Sequence, residues 1–213
     1  MPDFSHSVSE LVRSRFSCRK YSKEEIGRQK IEQLRIFTSS LGSGPFGTGA
    51  QFRLITAEES DRNELKGLGT YGFVQNPPAF IVGTVTKADR NLEDYGFLFE
   101  KVILFATDIG LGTCWLGGTF TKSGFSKKID MPDGYSMPAI AAVGNIYDTR
   151  PEKRAFMSRH LKPVPRKDWN ELFFDRQFGS PLVLSDKDKY SLPLEMVRLA
   201  PSASNKQPCC NEQ

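Results

Sequence analysis

The stretch Gly110-Leu-Gly-Thr-Cys-Trp-Leu-Gly-Gly118 decides the fold, because it ends the longest helical pattern of the chain and begins a strand. The preceding pattern at 92–109 carries an apolar stripe wide enough to bury a helix on most sides. Gly110 is a C-terminal glycine signal, and 113–116 predicts a short apolar strand or turn. The bare backbone at Gly117 and Gly118 would let a flat ligand approach the main chain closely. A tight turn packed against a neighbouring helix is the alternative.

Helices and strands are predicted on both sides of this stretch. Ser7 and Glu10 match a capping box for a helix at 7–15. Ser22 is predicted to cap a second helix, with Glu24 and Glu25 in its first turn. Strands are predicted at 51–57, 79–85 and 139–146, and further helices at 169–174 and 192–200.

The composition is that of an ordinary globular protein and excludes several classes. The chain has 213 residues, of which 38% are hydrophobic and 25% charged. No apolar run is long enough to span a bilayer, and the start does not resemble a secretory signal, so a cytoplasmic location is expected. The net charge of +4 is too small to indicate nucleic acid as a partner. The four cysteines and two histidines show no metal-binding spacing, so we predict no metal site.

The segment Arg15-Phe-Ser-Cys-Arg-Lys-Tyr21 is a candidate phosphate site. Two arginines four residues apart, with Ser17 between them, can direct charged groups and a hydroxyl at one phosphate. A surface loop beside a helix end is the alternative. A second basic group is either a solvated connector or an anion site; its members are Arg150, Lys153, Arg154, Arg159, Lys162, Arg166 and Lys167.

Two further stretches carry residues typical of ligand sites. Ala200-Pro-Ser-Ala-Ser-Asn-Lys-Gln-Pro208 offers donors and acceptors suited to the polar edge of a heteroaromatic ring, although a plain C-terminal loop is also possible. Glycines 42, 44 and 47 have the letters of a dinucleotide fingerprint. That fingerprint needs a strand before it and a helix after it, and the predicted order here is the reverse, so we interpret these glycines as a loop.

Together, the three motifs at 15–21, 110–118 and 200–208 resemble the nitroreductase family of flavoproteins. That family carries an Arg-Arg-Ser-x-Arg-x-Tyr/Phe-like segment, a Gly-Leu-Gly-Thr-Cys-Trp-x-Gly-Gly signature and an Ala-Pro-Ser-x-x-Asn-x-Gln-Pro-Trp segment. The chain matches the second almost letter for letter, and the third until Cys209 replaces the tryptophan. The resemblance implies an α+β, nitroreductase-like fold with a mixed, mainly antiparallel sheet flanked by helices.

The resemblance also implies an FMN site and its residues. Arginines and a serine would hold the phosphate, the glycine stretch would present backbone near the reactive nitrogen, and the late segment would contact the ring. The implied residues are Arg15, Ser17, Arg19 and Arg166 or Lys167 for the phosphate; Trp115, Leu116, Gly117 and Gly118 for the backbone; and Pro201, Ser202, Asn205 and Gln207 for the ring. No side chain is an obvious general acid or nucleophile, so we predict no catalytic residue.

The order of the motifs departs from the family pattern. Ordinary members carry the Ala-Pro-Ser segment soon after the arginines, where this chain has a degenerate version around 34–52, and the intact version comes much later. We interpret this as a partial internal repeat. The chain is similar to a subgroup in which one chain mimics the family's dimer, which implies a monomer acting as a pseudo-dimer, or a dimer if the second half needs completing. We expect a core with its connector at 1–184 and a truncated second pseudo-subunit at 185–213, packed on the core.

The resemblance implies FMN-dependent, NAD(P)H-driven reduction of a small electron-poor compound of nitroaromatic or quinone type. One alternative is a flavin-binding or interaction protein on the same scaffold without turnover. Another is a basic phosphate-binding module without flavin, using Arg13, Arg15, Arg19 and the basic group at 150–167.

Overall fold

A computed structural model describes residues 4–56, 74–118, 120–147, 166–183, 185 and 188–207. The chain divides into two compact units, Met1–Asp148 and Thr149–Gln213. Residues 150–162 of the basic group lie outside the described residues. Within the described ranges, no helix combines the length and apolar character that crossing a membrane requires. The predicted division into 1–184 and 185–213 stays a prediction.

An antiparallel sheet forms the centre of the first unit. Its strands are β1 (Ala50–Thr56), β2 (Ala79–Thr86), β3 (Gly112–Leu116), β4 (Tyr135–Ser136) and β5 (Ile140–Gly144). They run in the order β1-β2-β5-β3, and the short β4 pairs with the end of β2. β2 and β5 are buried almost throughout, which explains why their sequences are continuous apolar runs. The four predicted strands are confirmed, with their ends shifted by one or two residues.

Four helices accompany this sheet in the described part of the first unit. They are α1 (Val8–Ser14), α2 (Arg28–Ser39), α3 (Asn91–Asp108) and α4 (Lys122–Lys128). Ser7 and Glu10 form the predicted capping box of α1. Gly110 follows α3 with φ +74°, a left-handed conformation that glycine adopts without steric cost. The predicted helix 92–109 and its glycine stop are therefore confirmed.

The predicted start of the second helix at Ser22 is wrong. α2 begins at Arg28, with Gly27 at its N-cap. The Ser22 N–H donates to the Asn145 carbonyl at 2.9 Å, and Ile26 is buried in the core. The chain therefore runs extended past Asn145 and turns inward at Ile26 before the helix can begin. Helix α4 and strand β4 were not predicted.

The sheet has an apolar layer on each face. α2 and α3 cover one face, where Phe37 stacks on Phe105 with ring centroids 4.0 Å apart. α4 and buried residues of the segment 15–21 cover the other face. Because side chains alternate along a strand, Trp115 packs toward α3 while Cys114 packs toward α4. Strand β3 therefore presents different chemistry to the two layers.

A buried carboxylate holds the loop that contains glycines 42, 44 and 47. Asp94, in the first turn of α3, is completely buried. Its Oδ1 accepts the Phe46 N–H and its Oδ2 accepts the Thr48 N–H, each at 2.7 Å. A β-carbon at position 44 would overlap the Asp94 side chain. Gly44 therefore serves close packing against Asp94, in agreement with the interpretation of this stretch as a loop.

The second unit contains α5 (Trp169–Leu172), α6 (Ser191–Leu199) and a 3₁₀-helix (Ala203–Asn205). The predicted helices at 169–174 and 192–200 are confirmed, the first being shorter than predicted. The Trp169 indole N–H donates to the Leu182 carbonyl at 3.1 Å, and its ring lies 4.7 Å from the Phe173 ring. These contacts fix α5 against the following loop.

Candidate functional site

The segment 15–21 lies along the edge strand β3. Ser17 forms a parallel bridge with Thr113, and the Cys18 N–H donates to the Thr113 carbonyl at 2.7 Å. The close approach requires glycine at position 112, because a β-carbon there would lie 2.8 Å from the Cβ and Sγ atoms of Cys18. These two motifs therefore meet at one edge of the sheet, although almost a hundred residues, roughly one domain length, separate them in the sequence.

The Arg15 side chain lies almost completely inside this edge, with 5% of its surface exposed. Its Nε is 3.6 Å from Oε1 of Glu100, which is an ion pair rather than a hydrogen bond. Among the described residues, its guanidinium makes no hydrogen bond. Burial lowers the pKa of Arg15, and the neighbouring Glu100 charge opposes that shift. A guanidinium has five N–H donors, so this buried cation retains capacity to bind an acceptor.

Glu100, on α3, connects Arg15 to Trp115. The Trp115 indole Nε1–H donates to Oε2 of Glu100 at 2.9 Å, and its ring meets Phe99 edge-on at 4.3 Å. Burial raises the pKa of the Glu100 carboxyl, while the Arg15 charge and the Trp115 hydrogen bond oppose the rise. The sequence analysis missed Glu100.

Thr113 contributes a second polar group with unused capacity. It is 1% exposed, and its Oγ1 has no hydrogen-bond partner among the described residues. Side-chain alternation places Thr113 on the same face of β3 as Trp115. A buried hydroxyl without a partner lowers the free energy of unfolding by about 1–3 kcal/mol, so the Thr113 hydroxyl is destabilising at this position. The sequence analysis missed Thr113 as well.

The other phosphate-site arginine predicted from this segment is close to the same strand. Arg19 is exposed. Burial raises the pKa of the Cys114 thiol, and the charges of Arg19 and Arg15 both oppose that rise. Both cations therefore act on one buried thiol of β3, which indicates positive potential at this edge.

Apart from Gly110, which ends α3, the glycines of the stretch 110–118 divide into two groups. A β-carbon at Gly112 would collide with Cys18, so this glycine serves packing. Gly117 and Gly118 are exposed, and a β-carbon at either would meet no atom within 4 Å. Between the two groups, Leu116 is buried on the α4 side. The close-packing explanation therefore applies to Gly112 and leaves the backbone at 117–118 open to solvent.

A comparison with protein-family models identifies the group to which the chain is related. The model described as "Putative TM nitroreductase" matches residues 7–212. The chain belongs to this nitroreductase family. A comparison with curated proteins gives no match.

Solved structures of nitroreductases share the fold. An FMN-dependent nitroreductase from Clostridium difficile R20291 is 21% identical, with a TM-score of 0.54 over 66% of this chain and 88% of that one. A nitroreductase family protein from Clostridium novyi NT is 20% identical, with a TM-score of 0.55 over 85% and 99%. A nitroreductase with bound FMN from Desulfitobacterium hafniense DCB-2 is 20% identical, with a TM-score of 0.51 over 68% and 93%. The predicted nitroreductase-like α+β fold is confirmed.

The remaining predicted site residues of the chain lie in the second unit. Pro201, Ser202 and Asn205 are partly exposed, and Gln207 is buried. Ser204, Asn205 and Gln207 have φ values of +52°, +55° and +48°, in the left-handed region that costs a non-glycine residue about 1 kcal/mol or more. Such conformations persist where the surrounding contacts impose them, and they often mark functional segments.

Gln207 supplies part of that constraint. Its Oε1 accepts the Lys167 N–H at 2.8 Å, and its Nε2 donates to the Arg198 carbonyl at 2.9 Å. Its own N–H donates to Oγ of Ser202 at 3.0 Å. Gln207 therefore anchors the segment 200–207, and its predicted contact with a flavin stays a prediction.

Arg166 has a structural position at the end of α6. Its Nη1 donates to the Ala200 carbonyl at 2.8 Å and its Nη2 to the Leu199 carbonyl at 2.7 Å. A guanidinium at this place satisfies carbonyls that a helix end leaves without partners. Arg166 thus joins the end of α6 to the stretch before α5, and its predicted role in phosphate binding stays a prediction.

Proposed function

We propose that this protein is an FMN-dependent oxidoreductase that uses NAD(P)H to reduce small electron-poor compounds of nitroaromatic or quinone type. Membership of the nitroreductase family supports the flavin chemistry, as do two similar solved structures, one of an FMN-dependent nitroreductase and one of a nitroreductase with bound FMN. Bound FMN would supply hydride acceptance and electron transfer, while the protein would supply binding and electrostatics. We assign no catalytic side chain.

One observation carries the flavin proposal. Arg15 is a nearly buried cation that makes no hydrogen bond to any described residue, and Ser17, two residues further on, pairs with Thr113 of β3. Thr113 adds a buried hydroxyl that lacks a partner within the same part of the chain. Phosphate oxygens are acceptors that match both donors. Arg15, Ser17 and Arg19 would therefore hold the phosphate group of FMN.

The glycine stretch gives the proposal its second part. The exposed main chain at Gly117 and Gly118, next to Trp115 and Leu116 of β3, would lie beside the flavin ring. The internal repeat, the truncated pseudo-dimer and the oligomeric state stay predictions. The same holds for the contribution to the site of Pro201, Ser202, Asn205, Gln207 and Arg166.

An absorbance spectrum tests the proposal directly. The purified protein, supplied with FMN and freed of excess, should keep flavin absorbance and lose its yellow colour when NADH or NADPH is added without oxygen. A quinone or nitroaromatic should then restore the colour. Retained flavin without bleaching would instead identify a flavin-binding protein without turnover, and a colourless protein would overturn the proposal.

Gly117→Val tests whether the ring lies over the glycine stretch. The added side chain meets no protein atom near its β-carbon, so the fold should be unchanged while FMN binding weakens about tenfold or more through steric exclusion, equivalent to 1.4 kcal/mol. Fluorescence titration of FMN gives the affinity, and circular dichroism checks the fold. The matched control is Gly42→Val, because a β-carbon at Gly42 also meets no atom within 4 Å. Gly134→Val is not suitable, because Gly134 has φ +82° and valine would be strained there. Equal FMN affinity in both variants would place the ring elsewhere.

A further inference from the structure

We propose that Glu100 couples binding of the FMN phosphate at Arg15 to the uptake of one proton. The inference rests on the proposed function, because it concerns the same Arg15 site. It assigns to Glu100 a positioning and charge-regulating role that neither the sequence motifs nor the family resemblance contains.

The geometry places one cation between two anions. The Glu100 carboxylate lies 3.6 Å from Nε of Arg15, so a phosphate that contacts the same guanidinium lies within a few ångströms of that carboxylate. Two negative groups at such a separation repel strongly where water is largely excluded. Protonation of Glu100 removes that repulsion and leaves the Arg15 charge to the phosphate.

The surroundings of Glu100 make its carboxyl easier to protonate than an exposed one, while it is an ion-pair partner of Arg15 before a phosphate binds. Burial raises the pKa of its carboxyl, even with Arg15 and the Trp115 N–H opposing that rise. A protonated carboxyl can still accept the Trp115 N–H through its remaining lone pairs. Proton uptake therefore neutralises Glu100 without dismantling the contact at 2.9 Å that holds the indole.

The other charged and titratable groups near Glu100 do not replace it in this role. The segment 15–21 contributes the guanidinium of Arg15, the exposed Arg19, and Lys20, whose ammonium lies over the Tyr147 ring. Cys18 and Tyr21 of the same segment are buried on the α4 side. Strand β3 contributes Trp115, which does not titrate, and Cys114, whose side chain packs on the α4 side. On α1, Glu10 and Arg13 are exposed. On α3, Glu93 is exposed, and the Lys101 ammonium lies over the Phe97 ring. The other two carboxylates of α3 are held elsewhere: Asp94 accepts the Phe46 and Thr48 N–H groups, and Asp108 accepts the Ser5 and His6 N–H groups.

The test is a calorimetric proton count on the whole protein. FMN is titrated at one pH in buffers of different ionisation enthalpy, which gives the number of protons bound per FMN. The wild type should take up close to one proton more than Glu100→Gln, which keeps an acceptor for the Trp115 N–H but cannot titrate. In addition, the ratio of the wild-type Kd to the Glu100→Gln Kd should rise with pH by up to about tenfold per pH unit, because the charged form of Glu100 opposes binding. The exposed Glu93→Gln on the same helix should behave as the wild type.

The outcomes separate this inference from the proposed function. Equal proton counts and parallel pH profiles for wild type and Glu100→Gln would overturn the coupling while leaving FMN binding intact. Failure of both proteins to bind FMN would overturn the proposed function and this inference with it. Riboflavin, which lacks the phosphate, should show no difference in proton count between the two proteins, and an equal difference with riboflavin would also overturn the coupling. Thermal unfolding of Glu100→Gln checks that the fold is retained.

Discussion

Replacing Asp94 with alanine is expected to lower the free energy of unfolding by about 3–6 kcal/mol, because two hydrogen bonds to a buried carboxylate are lost and each is worth about 1.5–3 kcal/mol. The carboxylate is completely buried and accepts both the Phe46 and Thr48 N–H groups at 2.7 Å. Without it, these two backbone donors have no partner and the glycine loop loses its anchor on α3. A loss of this size is a large part of the usual stability of a domain. Urea denaturation followed by circular dichroism gives the value.

Glu93→Ala is the matched control for Asp94. Glu93 precedes Asp94 on the same helix and is exposed, so its loss should cost about 1 kcal/mol or less through the helix dipole. Asp94→Asn, which keeps one acceptor oxygen, should fall between the two. Similar midpoints for Asp94→Ala and Glu93→Ala would show that the loop does not depend on the carboxylate.

Replacing Arg15 with glutamine is expected to weaken FMN binding by about 1.5–3 kcal/mol, or roughly 10- to 150-fold, because a hydrogen bond to a charged group is lost. Glutamine keeps much of the aliphatic stem that packs in the interior and removes the charge that would meet the phosphate. Fluorescence titration with FMN measures the loss. Titration with riboflavin is the internal comparison, since a change confined to FMN places Arg15 at the phosphate.

Two further variants guard the interpretation of Arg15→Gln. Removing the cation takes the ion-pair partner from the partly buried Glu100, which is destabilising, so Arg15→Gln/Glu100→Gln separates lost folding from lost binding. Arg13→Gln removes an exposed arginine two residues away and should bind FMN as the wild type does. If Arg15→Gln keeps the wild-type FMN affinity, Arg15 is a structural ion-pair partner only.

The elements that were predictable are those whose signals are local. Each of three signals is formed by residues that are close in sequence: the apolar stripe of α3, the glycine stop at Gly110 and the capping box at Ser7. The structure contains all three. The position at which α2 starts is not decided by a local signal. Ser22 has the right chemistry for a cap, and its Oγ accepts the Glu24 N–H at 3.2 Å. Its own N–H, however, donates to the carbonyl of Asn145, the residue after β5, so a tertiary contact holds this stretch outside the helix.

The candidate site illustrates the same limit. The motif 15–21 and the glycine stretch were both identified as binding candidates, whereas their pairing through Ser17 and Thr113 required the fold. Glu100 was missed because its partners, Arg15 and Trp115, lie on other elements. It is also only three positions from the exposed Phe97, so the helical period places both residues on the outer face of α3. No spacing rule within α3 indicates that this carboxylate would face inward.

The glycine stretch shows that one sequence pattern can serve two purposes. Gly112 belongs to the same glycine stretch as Gly117 and Gly118, yet its backbone lies in close contact with the Cys18 side chain. The sequence alone does not distinguish a glycine whose backbone is open to a ligand from a glycine that makes room for a neighbouring segment, because both positions require the absence of a side chain.

The chain has two tryptophans, and they fall one in each unit: Trp115 against Phe99 and Glu100 in the first, and Trp169 against Phe173 in the second. Each unit thus carries its own intrinsic fluorophore. Single-tryptophan forms of the protein, in which phenylalanine replaces the other indole, would report the melting of each unit from its own emission. Comparing the two curves would reveal whether the halves of the polypeptide lose their structure in one cooperative step or in two.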